Sequence, residues 1–230
     1  MPSLRLVFER QWLHVLLLVV LLVPLVAASH NEALQTGQLW GVSTPTWFWL
    51  AVALPVIHQA YVWLCWRTQL HGSLLTRRLG SNSFTFYAFG FAVLGISRIA
   101  SVFPLAAANQ HTFPANPAML RTLAVLMAFP AAYLFYSVAR YFGFRRAMGI
   151  DHFDPAYRSL PFVRQGIFRF TSNGMYVFGF FLLWVPGLWW ASSAALAVAL
   201  FSHLYIWVHY YTTELPDIRR IYGPGHTSSQ

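Results

Sequence analysis

The carboxylate closest to a long apolar run in this chain is Glu214, in the stretch HYYTTELPDIRRIYG at residues 209–223. An acid at a membrane boundary is costly unless water or a partner receives it. Glu214 therefore reads either as a group for acid–base or electrostatic work or as a helix end wetted by solvent. A second set precedes it in YLFYSVAR at residues 133–140, where Tyr133, Tyr136 and Arg140 are spaced by three and four residues and share one helical face. That face suits an anionic headgroup held by Arg140 with Tyr136 lining the way, and it suits equally an aromatic packing stripe capped by an interfacial arginine. A third set is FRFTSNGMYVFGF at residues 168–180, which places a Ser, an Asn, a Gly and a Tyr between a cluster of arginines and an apolar run.

The elements that must position these residues follow from composition. The 230 residues are 57% hydrophobic and 9% charged, whereas an ordinary soluble domain is about a quarter charged. This describes an integral membrane protein. All 15 basic residues are arginine, giving a net charge of +9. Such a charge would suit nucleic acid, but the arginines cluster between apolar runs, as loops beside anionic lipid do, and no nucleic-acid partner is expected. A single cysteine, Cys65, excludes an intramolecular disulfide and a multi-cysteine metal site. No zinc, calcium, Walker or dinucleotide signature is present, and no metal is expected.

Crossing a hydrocarbon core of about 30 Å takes roughly 20 apolar residues. Residues 12–29, 47–66, 84–107 and 119–142 qualify, and residues 174–213 form a stretch of about 40, twice the need at about 1.5 Å per residue. That stretch must fold back, and Pro186–Gly187, flanked by Trp184, Trp189 and Trp190, is the expected turn. The expectation is an all-α polytopic fold of about six transmembrane helices, with a C-terminal helical hairpin. Arg5 and Arg10, then Arg67, Arg77 and Arg78, then Arg145, Arg146, Arg158, Arg164 and Arg169, then Arg219 and Arg220 occupy alternate ends, while residues 30–46 and 109–118 contain no arginine. The positive-inside rule then puts both termini in the cytoplasm.

The N-terminal run ends in VAAS, residues 26–29, and resembles a secretory signal; its apolar length exceeds the roughly 7–15 residues of such a core, so it is read as a span. Residues 1–230 are read as one domain. His58 and His203 stand singly in their helices without a haem-attachment motif, which argues against haem. Arg98, within two turns of Pro104, is expected to snorkel outward. His209 and Glu214, five residues apart, are offset by about 140° on an α-helix and should not share a face. The tail GPGHTSSQ is expected to be disordered.

The segment GIFRFTSNGMY at residues 166–176 resembles a loop of the superfamily of isoprenylcysteine carboxyl methyltransferases and phospholipid (phosphatidylethanolamine) N-methyltransferases. That loop is usually G-I-Y-R followed by R-H-P-x-Y, with N-P-M-Y in the phospholipid branch, which Asn173, Met175 and Tyr176 match. Downstream, Glu214, Leu215 and Pro216 stand where that branch has E-E-P, with Tyr222 and Gly223 beyond. The resemblance covers about residues 140–223. Ser172 replaces the usual Arg, Gly174 the Pro and Leu215 the second Glu, and Gly179 arrives one position late.

The resemblance implies S-adenosylmethionine bound between the loop and the end of the last span. It implies Glu214 facing the cofactor's positive groups, Tyr176 contacting the adenosine, and Asn173 bonding polar cofactor groups with Gly174 leaving the backbone open. Arg169 would either pair with the cofactor carboxylate or serve as a topology signal. The implied reaction is methyl transfer to a lipid, with Glu214 as the catalytic candidate and Glu214, His209 or water taking a proton if the acceptor is an amine. Asn173 and Pro216 favour a phospholipid amine. The alternatives are carboxyl methylation of an isoprenylcysteine-type acceptor, and a non-catalytic relative that binds or assembles in the membrane. Arginine-only usage suggests a GC-rich genome and hence a bacterial cytoplasmic membrane.

Overall fold

The computed structural model describes residues 4–223; the tail from residue 224 onward lies outside the described residues. Among the described residues, five helices are long and apolar enough to cross a membrane: Leu4–Ser29, Thr44–Gly72, Leu74–Ala108, Pro117–Phe142 and Ser193–Tyr222. The protein is thus a helical integral membrane protein. A shorter apolar run, Gly174–Trp189, lies where the fifth of the six expected spans was placed. The elements used below are α1 (Gln11–Ser29), α2 (Thr44–Gly72), α3 (Ser83–Ala100), α4 (Pro117–Ser137), α5 (Phe181–Trp189), α6 (Ser193–His209) and α7 (Leu215–Tyr222).

Helix α6 is the centre of the bundle, packed by α1, α2, α5 and the short helix Val102–Ala108. Its sequence explains this place, because Ala194, Ala195, Val198 and Ala199 are fully buried and small enough to let neighbouring backbones approach. Apolar attraction between helices is weak in lipid, so close packing of this kind and interhelical hydrogen bonds must supply the cohesion. Helix α1, by contrast, is mostly exposed along its length, as a lipid-facing span should be.

The hairpin between α5 and α6 forms, but it turns at Trp190–Ser192 rather than at Pro186–Gly187. Pro186 and Gly187 lie inside α5. A Cβ on Gly187 would come within 3.0 Å of the Leu196 backbone nitrogen, so this glycine lets two helices touch instead of bending the chain. The reversal is made by Ala191 at φ 50° and by Ser192, whose side chain accepts from Ala195 N and caps α6. Asn109, fully buried, fastens this arginine-poor end: its Nδ2 donates to the carbonyls of Ala33 and Thr36, and its Oδ1 accepts from Ser192 Oγ and Ala194 N.

At the arginine-rich end, α4 and α6 each run into one π-helical turn, Val138–Phe142 and Tyr210–Glu214. In the second, Leu215 N reaches back five residues to Tyr210 O, and such a wide turn leaves neighbouring carbonyls in need of donors. Arg67 supplies them. Its Nη2 donates to Thr213 O at 3.1 Å and Thr212 O at 3.4 Å, its Nη1 to Leu6 O at 2.7 Å and its Nε to Asp217 Oδ2 at 2.9 Å. Counted in the sequence as a loop charge, Arg67 is instead a fully buried clamp at the end of α2. His14 braces the same turn from α1, with one ring nitrogen 2.9 Å from Thr212 Oγ1 and the other 2.8 Å from Tyr205 OH.

Candidate active site

Between α2, α3, α4, α5 and α6 lies a cavity of about 470 Å³, within the size range of small-molecule sites. Its walls are mainly apolar, Val62, Ile99, Leu134 and Leu183 among them, and a few polar side chains converge on it: His58, Gln59, Arg98, Tyr176, His209 and Glu214. Helices α3 and α4 both contribute to the lining, through Phe91, Gly95 and Ile99 on the first and Leu134 and Phe135 on the second.

Tyr176 and Glu214, two of the residues singled out in the sequence, meet here. The Tyr176 hydroxyl donates to Glu214 Oε2. The short helix Gly174–Val177 sets the tyrosine at the start of the hairpin, and its ring packs edge-on to Trp207 and tilted against Tyr210. Glu214 closes the π turn, and that turn changes the expected geometry: His209 and Glu214 line the same cavity, although an α-helix would point them apart. His209 is buried, with no partner for its Nδ1.

The other predicted residues take different places. Asn173 heads the Gly174–Val177 helix and its side chain bonds Tyr210. Gly174 is buried against Ile167 and Phe168, where an added Cβ would meet only ordinary contacts from 3.4 Å outward, so it does not open the backbone to a ligand. Arg169 is exposed with its guanidinium over the Phe170 ring at 4.9 Å. Arg140 is exposed over Tyr141 at 5.6 Å, and Tyr136 stacks on Tyr133 at the surface. Arg169, Arg140 and Tyr136 stand outside the cavity lining.

Three polar lining residues were not foreseen as site residues: His58, Gln59 and Arg98. Arg98 does not snorkel outward. It is 5% exposed, its Nη2 donates to Ser202 O at 3.1 Å, and its guanidinium lies 4.7 Å over the Phe180 ring. The small Ser202 on α6 leaves the guanidinium room to lie inside the bundle. The signal was present in the sequence, since an ionisable residue within an apolar span is a functional candidate in its own right. His203, in contrast, has a partner, its Nδ1 accepting from Trp184 Nε1 at 3.1 Å. Among the described residues no three His, Cys, Asp or Glu side chains converge as a metal site would require.

The loop over the arginine-rich end is tied to α7. Tyr222 OH donates to Asp151 Oδ2 at 2.8 Å, and His152, stacked on Trp66 at 4.2 Å, lies 3.1 Å from Asp151 Oδ1 and 3.5 Å from Asp217 Oδ2. Burial disfavours charge on His152, but the two carboxylates outweigh it and push its pKa up to about 9, so it is protonated at neutral pH. Burial likewise opposes charge on Asp151, and the bonds from His152 and Tyr222 hold it below the usual carboxylate value nonetheless. Tyr222, placed by the sequence beyond the downstream motif, thus serves this clasp rather than the cavity.

Searches among curated proteins and among solved structures found no match. The family model described as phospholipid methyltransferase matches residues 119–225, a span that contains α4 to α7, the Tyr176–Glu214 pair and His209. The match spans just under half of the chain and makes this C-terminal part similar to phospholipid methyltransferases, a family of membrane methyltransferases.

Proposed function

We propose that the protein is an S-adenosylmethionine-dependent methyltransferase whose cofactor binds against Tyr176 and Glu214 and whose acceptor is a membrane lipid, a phospholipid amine being the preferred class. The observation that carries this reading is the carboxylate of Glu214, held by the Tyr176 hydroxyl on the wall of an apolar cavity, both residues lying within the family-matched part of the chain. The donor set fits such a cofactor: a carboxylate to attract its ammonium or sulfonium, and aromatic rings at Trp66 and Tyr176 to pack its adenosine. When bound, S-adenosylmethionine supplies a methyl group on a sulfonium, which passes to the acceptor's lone pair while sulfur keeps the bonding electrons.

The chain's own contribution is alignment, exclusion of water and proton removal, since the electrophile is already activated. An acceptor amine must be neutral to attack, and its proton goes to Glu214 or to His209, whose Nδ1 has no partner and which lines the same cavity. A lipid acceptor enters on the side of α3 and α4, which both line the cavity and present exposed apolar side chains such as Phe89 and Leu126 to the surroundings. The cytoplasmic location of the arginine-rich end, inferred from loop charge, faces the cofactor site toward the soluble cofactor pool, and a bacterial cytoplasmic membrane is the proposed setting.

Calorimetric titration of the purified protein with S-adenosylhomocysteine tests the reading. Binding is expected in the wild type, loss of binding in Glu214→Ala, and a weakening of about tenfold in Tyr176→Phe. A folded wild type in lipid nanodiscs that binds nothing would leave a membrane assembly role in place of an enzyme.

A further inference from the structure

One wall of the cavity comes from α2 and α3, which lie outside the family-matched residues 119–225. On it, Arg98 is held by one carbonyl and one aromatic face, and its Nε has no partner. A guanidinium has five N–H donors, and none of the six acids of the chain forms an ion pair with this one. His58 lies beside it. It is 6% exposed, both its ring nitrogens lack partners, and it lines the same cavity. The two are brought together by Gly95, three residues before Arg98 and hence on the same face of α3. A Cβ on Gly95 would stand only 3.4 Å from His58 Cε1, so the glycine makes room for the imidazole.

A buried cation is tolerated when an anion and further hydrogen bonds compensate it. We infer that Arg98 and His58 form an anion subsite that holds the carboxylate or phosphate of an amphiphilic acceptor. The inference rests on the methyltransferase reading of the same cavity and adds the class of acceptor. The anion is the acceptor's rather than the cofactor's. Ser202, the carbonyl partner of Arg98, precedes Glu214 by 12 residues, about 18 Å along the helix. A cofactor whose ammonium meets Glu214 carries its carboxylate on the same carbon and cannot span that length. The apolar body of the acceptor also has a place: a groove along Ile96, Ile99, Ala100 and Phe103 continues from the cavity and shares Ile96 and Ile99 with it.

The test uses full-length protein in dodecyl maltoside, titrated by calorimetry with dodecanoate, dodecyl phosphate and dodecanol, each corrected for micelle partitioning. Wild type is expected to bind at least one anion about tenfold or more tighter than dodecanol. Preference for the phosphate identifies a phospholipid-type acceptor, and preference for the carboxylate a carboxylic one. In Arg98→Met the anion preference should vanish while S-adenosylhomocysteine binding stays. Arg98→Lys should keep part of the preference, and His58→Leu should reduce it to a smaller extent. Equal binding of anions and dodecanol by wild type, or an undiminished preference in Arg98→Met, would overturn the subsite. Loss of S-adenosylhomocysteine binding in Arg98→Met with Arg98→Lys restoring it would give the arginine to the cofactor, overturning this inference but not the proposed function. If Arg98→Met does not fold, the wild-type ratio and the His58→Leu and Arg98→Lys variants decide. Absence of S-adenosylhomocysteine binding in wild type, with the anion preference intact, would instead sink the enzyme reading alone.

Discussion

Arg67 and Arg98 are both buried in the same bundle, and they are compensated very differently. Arg67 meets Asp217 and three backbone carbonyls and carries a side chain with no exposure at all. Arg98 meets one carbonyl and the face of Phe180. The first arrangement uses up the donors of the guanidinium and joins α2 to the N-terminal segment and to the end of α6. The second leaves donors unused beside a cavity. Completeness of pairing therefore separates a charge that holds the fold from a charge that is kept for something absent from the chain itself.

The sharpest way to break this contrast is to remove each charge. Arg67→Met leaves Asp217 buried with His152 as its remaining charged neighbour and should cost about 3–5 kcal/mol, seen as loss of monodisperse protein and a large fall in melting temperature. The double variant Arg67→Met/Asp217→Leu should recover much of that loss. Arg98→Met abandons no carboxylate and should stay within about 1 kcal/mol of wild type. Equal losses in the two single variants would end the distinction.

A smaller effect sharpens the structural side of the comparison. His152, raised from 6.5 to about 9, contributes stability fully present below pH 6.5 and lost as pH rises through about 9. Asp151, lowered from 3.8, contributes stability present above that value and lost as pH falls below it. Hydrogen exchange of residues 150–158 should accordingly speed up between pH 6.5 and 9, after correction for intrinsic rates. His152→Gln should abolish that dependence. The smallest effect is expected from Tyr222→Phe, which deletes one bond to Asp151 and should cost about 1 kcal/mol, confined to the same loop and without consequence for S-adenosylhomocysteine binding.

Much of the fold could be read from the chain because hydropathy runs report directly on a 30 Å hydrocarbon layer. The pairing of Tyr176 with Glu214 was also within reach, since the two motifs lie at the ends of one hairpin. What escaped had specific causes. Pro186–Gly187 has the letters of a turn, but a glycine inside a span equally permits close helix contact, and only the proximity of Leu196 reveals which applies. Arg67 and Arg98 enter a charge count alike, while their partners are 150 and 104 residues away along the chain. The meeting of His209 and Glu214 in one cavity depended on a π turn, which no hydropathy period announces.

That π turn makes the distance between motifs a chemical variable. Everything before Tyr210 follows one rotational phase and everything after Glu214 another, because the segment carries a surplus residue within an otherwise regular helix. Each residue amounts to about 100° of rotation, so a sister chain without the surplus would need its carboxylate one position away to address the same wall. Spacing, as much as the letters around Glu214, is therefore what decides whether a related sequence has kept this geometry.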